Sequence, residues 1–337
     1  MNGRALWFED LRMPVVRDEE VADPGPGELT VESIASLISP GTEMQVYRGE
    51  ISPETDLGLE TCRGSFAFPV KYAYQLVGNV LATGEGVPLR AGERVFARHP
   101  HQDRFTMRYN PDLVFALPPD LDPETATFSN LADVALNAML DCPIRIGDVV
   151  VSFGYGIVGA FCAQFAKLTA GHLIVVDPLP QRRETAVANG ADQAVSPEEA
   201  VDAVMEATGG RGADVTIEVS SSTAALQTAI EVTGQEGTIV AVSYYGSRPV
   251  TLTLAPEFHF RRVRIVSSQV SSLGSGLQPR WDFPRRFDVV LSHLSRLGIE
   301  SMISHRFPLV EAPTAYQLID ENPGATFGVI IEYANGS

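Results

Sequence analysis

The sequence is poor in cysteine and in positive charge, and it has no long apolar run. Three cysteines, Cys62, Cys142 and Cys162, occur in 337 residues. Odd in number and widely spaced, they offer neither a disulfide framework nor a CxxC metal knuckle. They are read as buried or incidental thiols, and a reducing cytoplasm is the expected location. Lys and Arg number 25 against 42 Asp and Glu, a formal net charge of −17. Nucleic acid and anionic membrane surfaces, both polyanions, are therefore not expected partners. An acidic surface that keeps the protein soluble accounts for the imbalance. No apolar stretch approaches the roughly 20 residues that span a bilayer. The start, M1-N-G-R-A-L-W-F-E-D10, carries a single basic side chain and no long apolar region, so no secretory signal is expected.

What is present is a chain long enough for two domains, with 45% hydrophobic and 20% charged residues. The first 120 or so residues read as β-rich: runs such as L29-T-V-E-S-I-A35 alternate with turn signals such as D23-P-G-P-G-E28. The hinge L117-P-P-D-L-D-P123 opens into a helix expected over residues 124–140, with Asp122 as its cap and Pro123 in its first turn. From Asp148 strands and helices alternate. V149-V-V-S-F153 and L173-I-V-V-D177 read as strands buried on both faces. Helices are expected over 157–170, with Phe161, Phe165 and Leu168 on its apolar side, and over 181–189. Strands follow at 213–219, 237–243 and 263–268. This alternation predicts a doubly wound parallel sheet. Beyond residue 270 come a helix near 287–297 and short strands at 306–309 and 329–333.

Between the first buried strand and its helix lies G154-Y-G-I-V-G159. Gly154 permits a tight turn, Gly156 lets the backbone approach a pyrophosphate, and Gly159 lets helix and strand pack closely. The helix N-terminus, with Ile157 and Val158, offers free N–H groups to the anion. Asp177 ends the next strand, where a carboxylate accepts from an adenosine ribose and repels a 2′-phosphate. Pro178 follows it, and Arg182 and Arg183 lie one helical turn on, which leaves NADP possible while NAD is the expected cofactor. Ser220, Val242, Ser243, Tyr244, Ser268 and Gln269 fall at the ends of later parallel strands, where ligands collect in this fold. The backbones of the last two strand ends are expected to hold the nicotinamide carboxamide.

With that motif in the second half, the layout resembles the medium-chain dehydrogenase/reductase superfamily. The matching stretches are D23-P-G-P-G-E-L-T-V-E-S33, A91-G-E-R-V-F96 and G212-A-D-V-T-I-E218, arriving in the right order over nearly the full length. The resemblance implies an α/β fold: a GroES-like β-rich catalytic domain (residues 1–122 and 271–337) plus a Rossmann doubly wound parallel-sheet domain (123–270). It implies a cleft between them and a homodimer formed through the edge strand of the nucleotide domain.

The zinc-type members carry ligands that this chain lacks. S39-P-G-T-E-M-Q-V-Y-R-G49 resembles their catalytic loop, with Pro40 at the position of the first cysteine ligand. A73-Y-Q75 stands at their Gly-His-Glu segment, which puts Tyr74 at the histidine position. The third ligand falls in S129-N-L-A-D133, where either Asn130 or Asp133 could occupy it, and the four-cysteine structural lobe is missing. Zinc takes four N, S or O donors in a tetrahedron, and Pro has none. No catalytic zinc is expected in the usual place.

A zinc-free reductase needs another electrophile for the oxyanion that hydride addition creates. Tyr74 is a candidate proton donor, with Lys71 as a cation expected to lower its pKa; the alternative is that Tyr74 only fills the vacated space. Thr42 matches the hydroxyl relay residue of the zinc enzymes, while Gln45 replaces its usual histidine partner. R98-H-P-H-Q-D103 is read as a replacement metal site, a source of a cleft histidine (His101 rather than His99), or plain loop. Ser39, Tyr47, Lys71 and Asn130 are candidate substrate contacts. The arginines of F258-H-F-R-R-V-R264 form a solvated face or an anion clamp. The expected function is zinc-independent hydride transfer between NAD(H) and a carbonyl/hydroxyl pair on a small polar metabolite. An NAD(P)H-dependent reductase of activated C=C bonds and a non-catalytic nucleotide sensor are the alternatives.

Overall fold

The computed structural model describes residues 2–56, 61–62, 65–246 and 249–333. Strands β1 (Asn2–Asp10), β2 (Met13–Glu20) and β3 (Glu28–Ile38) lead to a short helix α1 (Thr42–Tyr47). Strands β4 (Leu76–Thr83), β5 (Arg94–Ala97), β6 (Arg104–Arg108) and β7 (Val114–Ala116) come next, then helices α2 (Pro123–Thr127) and α3 (Ser129–Asp141). The alternating region runs β8 (Val149–Phe153), α4 (Ile157–Lys167), β9 (His172–Val176), α5 (Pro180–Ala188), β10 (Gln193–Val195), α6 (Ala200–Thr208) and β11 (Ala213–Glu218). It continues with α7 (Thr223–Val232), β12 (Thr233–Ala241), α8 (Glu257–Phe260), β13 (Arg264–Ser267) and α9 (Phe283–Leu294). Last come β14 (Ile303–Pro308), α10 (Ala312–Glu321) and β15 (Gly328–Glu332).

Two compact units result, Met1–Asn130 with Ile299–Ser337, and Leu131–Gly298. The first holds a β1–β2 hairpin and a sheet ordered β14-β15-β3-β4-β5-β7, with β6 also pairing β3. Its core gathers Leu6, Phe8, Ile38, Met44, Tyr47 and Tyr316 under α1 and α10. The second holds a six-stranded sheet ordered β10-β9-β8-β11-β12-β13, parallel throughout. Every residue of β8 is buried, as helices on both faces require. Strand order reverses at β8, so the turns after β8 and β11 diverge and open a crevice at their carboxyl ends.

Asp122 caps α2 as expected, its Oδ1 accepting from Thr125 N at 2.8 Å. The helix expected over 124–140 is instead two, interrupted at Phe128. There the hydroxyls of Thr127 and Ser129 donate back to the Glu124 and Ala126 carbonyls, an alternative to regular helix bonding. Helix α4 stops at Lys167, and Leu168 is 69% exposed rather than part of the core. The units divide after Asn130 and Gly298, against expected divides at 122/123 and 270/271. Helix α9 belongs with the nucleotide-type sheet because Arg286 is anchored to Asp133 of α3.

Candidate active site

In the first unit the site grows from the turn between β3 and α1. Tyr74, just before β4, donates its hydroxyl to Ser39 Oγ at 2.8 Å. Burial, and secondarily the charge of Glu43, push the Tyr74 phenol up to about 12, against the Ser39 and Thr42 hydroxyls, which favour the phenolate. This corrects the expectation of a lowered pKa. Lys71 is not the cation that activates Tyr74: its ammonium contacts Glu19 Oε2 at 2.9 Å and Gln102 Oε1 at 2.9 Å. It lines a separate cavity of about 590 Å³ with Trp7, Glu19, Thr61 and Cys62. Tyr47 is 4% exposed, stacked on Tyr316 with centroids 5.7 Å apart, and so sits in the core. Asn130 is 8% exposed. The three thiols are pushed above their usual range, mainly by burial.

One residue that pattern reading passed over dominates this unit's polar interior. Glu43, beside Thr42, is fully buried. Its Oε2 accepts from Tyr316 OH at 2.8 Å and lies 3.2 Å from His101 Nε2. His101 Nδ1 is 2.6 Å from Ser36 Oγ, and Ser36 Oγ is 2.7 Å from Tyr333 OH. A carboxylate only accepts, so a neutral His101 carries its proton on Nε2 and takes one from Ser36 at Nδ1. Donors then run Tyr333 to Ser36 to His101 to Glu43, with Tyr316 meeting them there. Oε1 of Glu43 makes no hydrogen bond among the described residues. The only sequence signal was an acid inside the apolar run T42-E-M-Q-V-Y47. His101 points inward as expected, but so does His99, at 6% exposure.

In the second unit Gly154 has φ +100°, and a Cβ on it would meet Ser220 at 3.0 Å. A Cβ on Gly159 would stand 2.2 Å from the Gly154 carbonyl, so helix α4 packs on the turn only without a side chain. Gly156 is the N-cap of α4 and supplies no side-chain cap. A Cβ there would find nothing nearer than Arg182 Nη1 at 3.9 Å. An open approach, uncapped N–H groups and a neighbouring guanidinium fit a dinucleotide pyrophosphate. Asp177 is 2% exposed: Oδ2 accepts from Tyr155 N at 2.7 Å and Oδ1 from Leu179 N at 2.9 Å. It therefore braces the glycine turn as well as ending the strand. Arg183 donates to the Asp177 and Pro178 carbonyls.

At the neighbouring strand ends Ser220 donates to Glu218 Oε1, and Ser243 Oγ accepts from Ser221 N. Val242 N donates to the Glu218 carbonyl, and Tyr244 is 53% exposed. Ser268 Oγ donates to Asp141 Oδ2 at 2.8 Å, and the Gln269 side chain folds back onto Ser271. Arg262 and Arg264 pair with Glu236, and Arg261 donates to the Glu231 and Thr233 carbonyls. These ties belong to a surface turn, with Arg262 and Arg264 sharing one carboxylate.

The model of a family described as zinc-binding dehydrogenase matches residues 158–288. D-guloside 3-dehydrogenase of Shigella flexneri is 31% identical over 206 residues, 59% of this chain and 59% of that relative's length. L-threonine 3-dehydrogenase of Pyrococcus horikoshii is 25% identical over 320 residues, 86% of each chain. Among solved structures, an oxidoreductase/dehydrogenase of unknown specificity from Escherichia coli superposes with TM-score 0.84 at 16% identity, covering 99% of this chain and 100% of that one. For 2R,3R-butanediol dehydrogenase of Bacillus subtilis the values are 0.81 and 19%, covering 98% and 99%. At such identities these structures speak for the fold. A GroES-like unit, a Rossmann unit and a dinucleotide turn define one class. The family model, the relatives and the fold align this chain with the medium-chain dehydrogenase/reductase superfamily of NAD(P)-dependent oxidoreductases.

The zinc named in that family description does not fit the donors present. Pro40 has no ligand atom, Tyr74 is a hydroxyl engaged with Ser39, and both oxygens of Asp133 are held by Arg286. Among the described residues no group of three or more His, Cys, Asp and Glu side chains is arranged to hold a metal ion. No described helix is long and apolar enough to cross a membrane.

Proposed function

We propose that the protein is a zinc-independent dehydrogenase that moves a hydride between NAD(H) and a secondary hydroxyl/carbonyl pair on a small polar metabolite of the sugar or polyol kind. The observation that carries this reading is the Tyr74–Ser39 hydroxyl pair beside Thr42, and the resemblance of these segments to the metal-binding segments of the zinc enzymes supports it. Relatives named for D-guloside, L-threonine and sorbitol support a hydroxylated substrate. When bound, NAD(H) supplies or accepts the hydride.

The chain's own part is to handle the oxygen. Burial keeps the Tyr74 phenol neutral, hence a donor, at any working pH. As a carbonyl gains hydride and its oxygen turns negative, Tyr74 O–H turns from Ser39 to that oxygen and donates to it. Ser39 and Thr42 then accept and steer the hydroxyl. In oxidation the substrate O–H proton passes along the same hydroxyls to solvent water, and in reduction water returns a proton by that route. Gly154, Gly156, Ile157, Val158, Gly159 and Arg182 serve the pyrophosphate, Asp177 and Pro178 the adenosine ribose. Ser220, Val242, Ser243, Tyr244, Ser268 and Gln269 serve the nicotinamide end. The exposed edge strand β13, with Ile265 at 37% and nearby Phe260 at 75% exposure, supports a homodimer through that edge.

The test is purification in chelator, metal analysis by mass spectrometry, calorimetry with NADH and NADPH, and turnover on a panel of polyols, glycosides and enones. Metal-free protein that binds NADH and oxidises hydroxyl substrates is expected. Absence of nucleotide binding, or activity that chelation removes and zinc restores, would sink the reading.

A further inference from the structure

Outside the residues assigned above, the most completely built polar cluster lies in the second unit. Arg286 of α9 is 2% exposed, and Asp133 and Asn137 of α3 are each 1% exposed. Arg286 Nε and Nη2 donate to the two oxygens of Asp133 at 2.6 and 2.8 Å, a fork-to-fork pair. Nη1 donates to Asn137 Oδ1 at 2.6 Å, and Nη2 also reaches the Val270 carbonyl at 2.8 Å. Asn137 Nδ2 then donates to Ser268 Oγ at 3.0 Å and to Asp141 Oδ2 at 3.1 Å, while Ser268 Oγ donates to the same Asp141 oxygen at 2.8 Å.

The cluster thus grips the chain on either side of Gln269, through the Ser268 side chain and the Val270 main chain. Ser268 N is in turn bonded to the Ala241 carbonyl at the end of β12. A buried ion pair contributes little net stability, since desolvation of both charges offsets their attraction. What such a pair provides well is position, because a planar guanidinium with several fixed acceptors tolerates one geometry. One of its members also stands in the segment where the zinc enzymes carry their third ligand, so at Asp133 a carboxylate has been committed to this pairing.

We propose that Asp133, Arg286 and Asn137 form a positioning clamp that fixes the Ser268–Val270 segment for the nicotinamide end of bound NAD(H). This rests on the cofactor assignment above and adds to it residues that touch no ligand. Their effect is local to one end of the dinucleotide. A lesion in the clamp therefore weakens recognition of nicotinamide and leaves the adenosine and pyrophosphate contacts intact.

Calorimetry on the full-length protein with NADH and with ADP-ribose, which lacks the nicotinamide, separates the two ends. Arg286→Met removes the clamp but leaves Asp133 buried and unpaired, so it can fail to fold. The double variant Asp133→Leu/Arg286→Met replaces the pair by apolar volume and is expected to stay folded. For both variants, where folded, the NADH dissociation constant should rise about tenfold, the value of one well-aligned hydrogen bond, with ADP-ribose within about twofold of wild type. Parallel weakening of both ligands in the double variant, or no change in either, overturns the clamp while leaving the cofactor assignment standing. Wild-type protein that binds neither ligand overturns both.

Discussion

Replacing His99 by Phe removes one titratable ring from a buried site and should flatten the acid dependence of stability. The His99 ring stacks on Phe105 with centroids 3.6 Å apart and planes 8° from parallel. Its Nδ1 lies 2.9 Å from the Pro100 carbonyl, which only accepts, so the neutral ring carries its proton there. Burial first, then the charges of Lys71 and His101, hold the imidazole down at about 3 against an ordinary 6.5, opposed only by the Pro100 bond. The unfolded chain takes up a proton below pH 6.5 while the folded one stays neutral, so the contribution is whole above pH 6.5 and is lost as pH falls towards 3. At about 1.4 kcal/mol per pKa unit the full difference is about 5 kcal/mol, of which about 2 kcal/mol is gone by pH 5. His99→Phe keeps the stack and loses one hydrogen bond, about 1 kcal/mol at pH 7. The two tryptophans, Trp7 and Trp281, fall in different units. In a Trp281→Phe background, Trp7 emission during urea unfolding therefore follows the His99 unit alone. Between pH 7 and 5 the parent should lose about 2 kcal/mol more than the His99→Phe form. Equal losses would refute the reasoning, because every other carboxylate and histidine is common to both proteins.

Tyr74→Phe should lower kcat for carbonyl reduction about 100-fold with NADH binding unchanged, the loss expected for an oxyanion donor; steady-state kinetics showing a change under about threefold would return Tyr74 to a packing role. Gly156→Ala meets nothing nearer than 3.9 Å, so it should fold with an unchanged Tm yet bind NADH more weakly, since only the ligand side is obstructed. Gly159→Ala, 2.2 Å from a carbonyl, should lower Tm as well, and thermal unfolding beside calorimetry distinguishes the two. Ile265→Lys on strand β13 should turn a dimer into a monomer in sedimentation velocity; a wild-type monomer would remove the proposed edge-strand interface.

The second unit was legible because parallel strands covered on both faces read as unbroken apolar runs, and V149-V-V-S-F153 is one. Two glycines of the turn were legible for a local reason too, Gly154 answering to a φ value and Gly159 to the Gly154 carbonyl. Strand β10 was missed because three residues at a sheet edge leave no periodicity to read. Lys71 and Tyr74 misled through mere adjacency: three positions apart before a strand, their side chains meet different partners, Glu19 and Ser39. Glu43 and Arg286 stayed hidden because their partners are 58 and 153 residues away. A buried charge declares its role only once its counterpart is placed.

These hidden charges bear on the zinc-independent chemistry proposed above. Removing a divalent cation from a site leaves its former neighbours with excess negative charge and unfilled acceptors. Here Glu43 stays buried, and hydroxyl and imidazole donors from Tyr316 and His101 gather on one of its oxygens. Asp133 in the other unit is met by a full guanidinium. Both oxygens of Asp133 are taken up by the guanidinium, whereas Glu43 has its donors on Oε2 alone. Tyr74 follows the same logic from the other side. A neutral hydroxyl in a desolvated place beside an acid is a poor metal ligand and a good donor, and its proton already points at an oxygen, that of Ser39. Exchanging Ser39 for a substrate oxygen would cost no new desolvation of Tyr74, as the proposed hydrogen-bond catalysis requires.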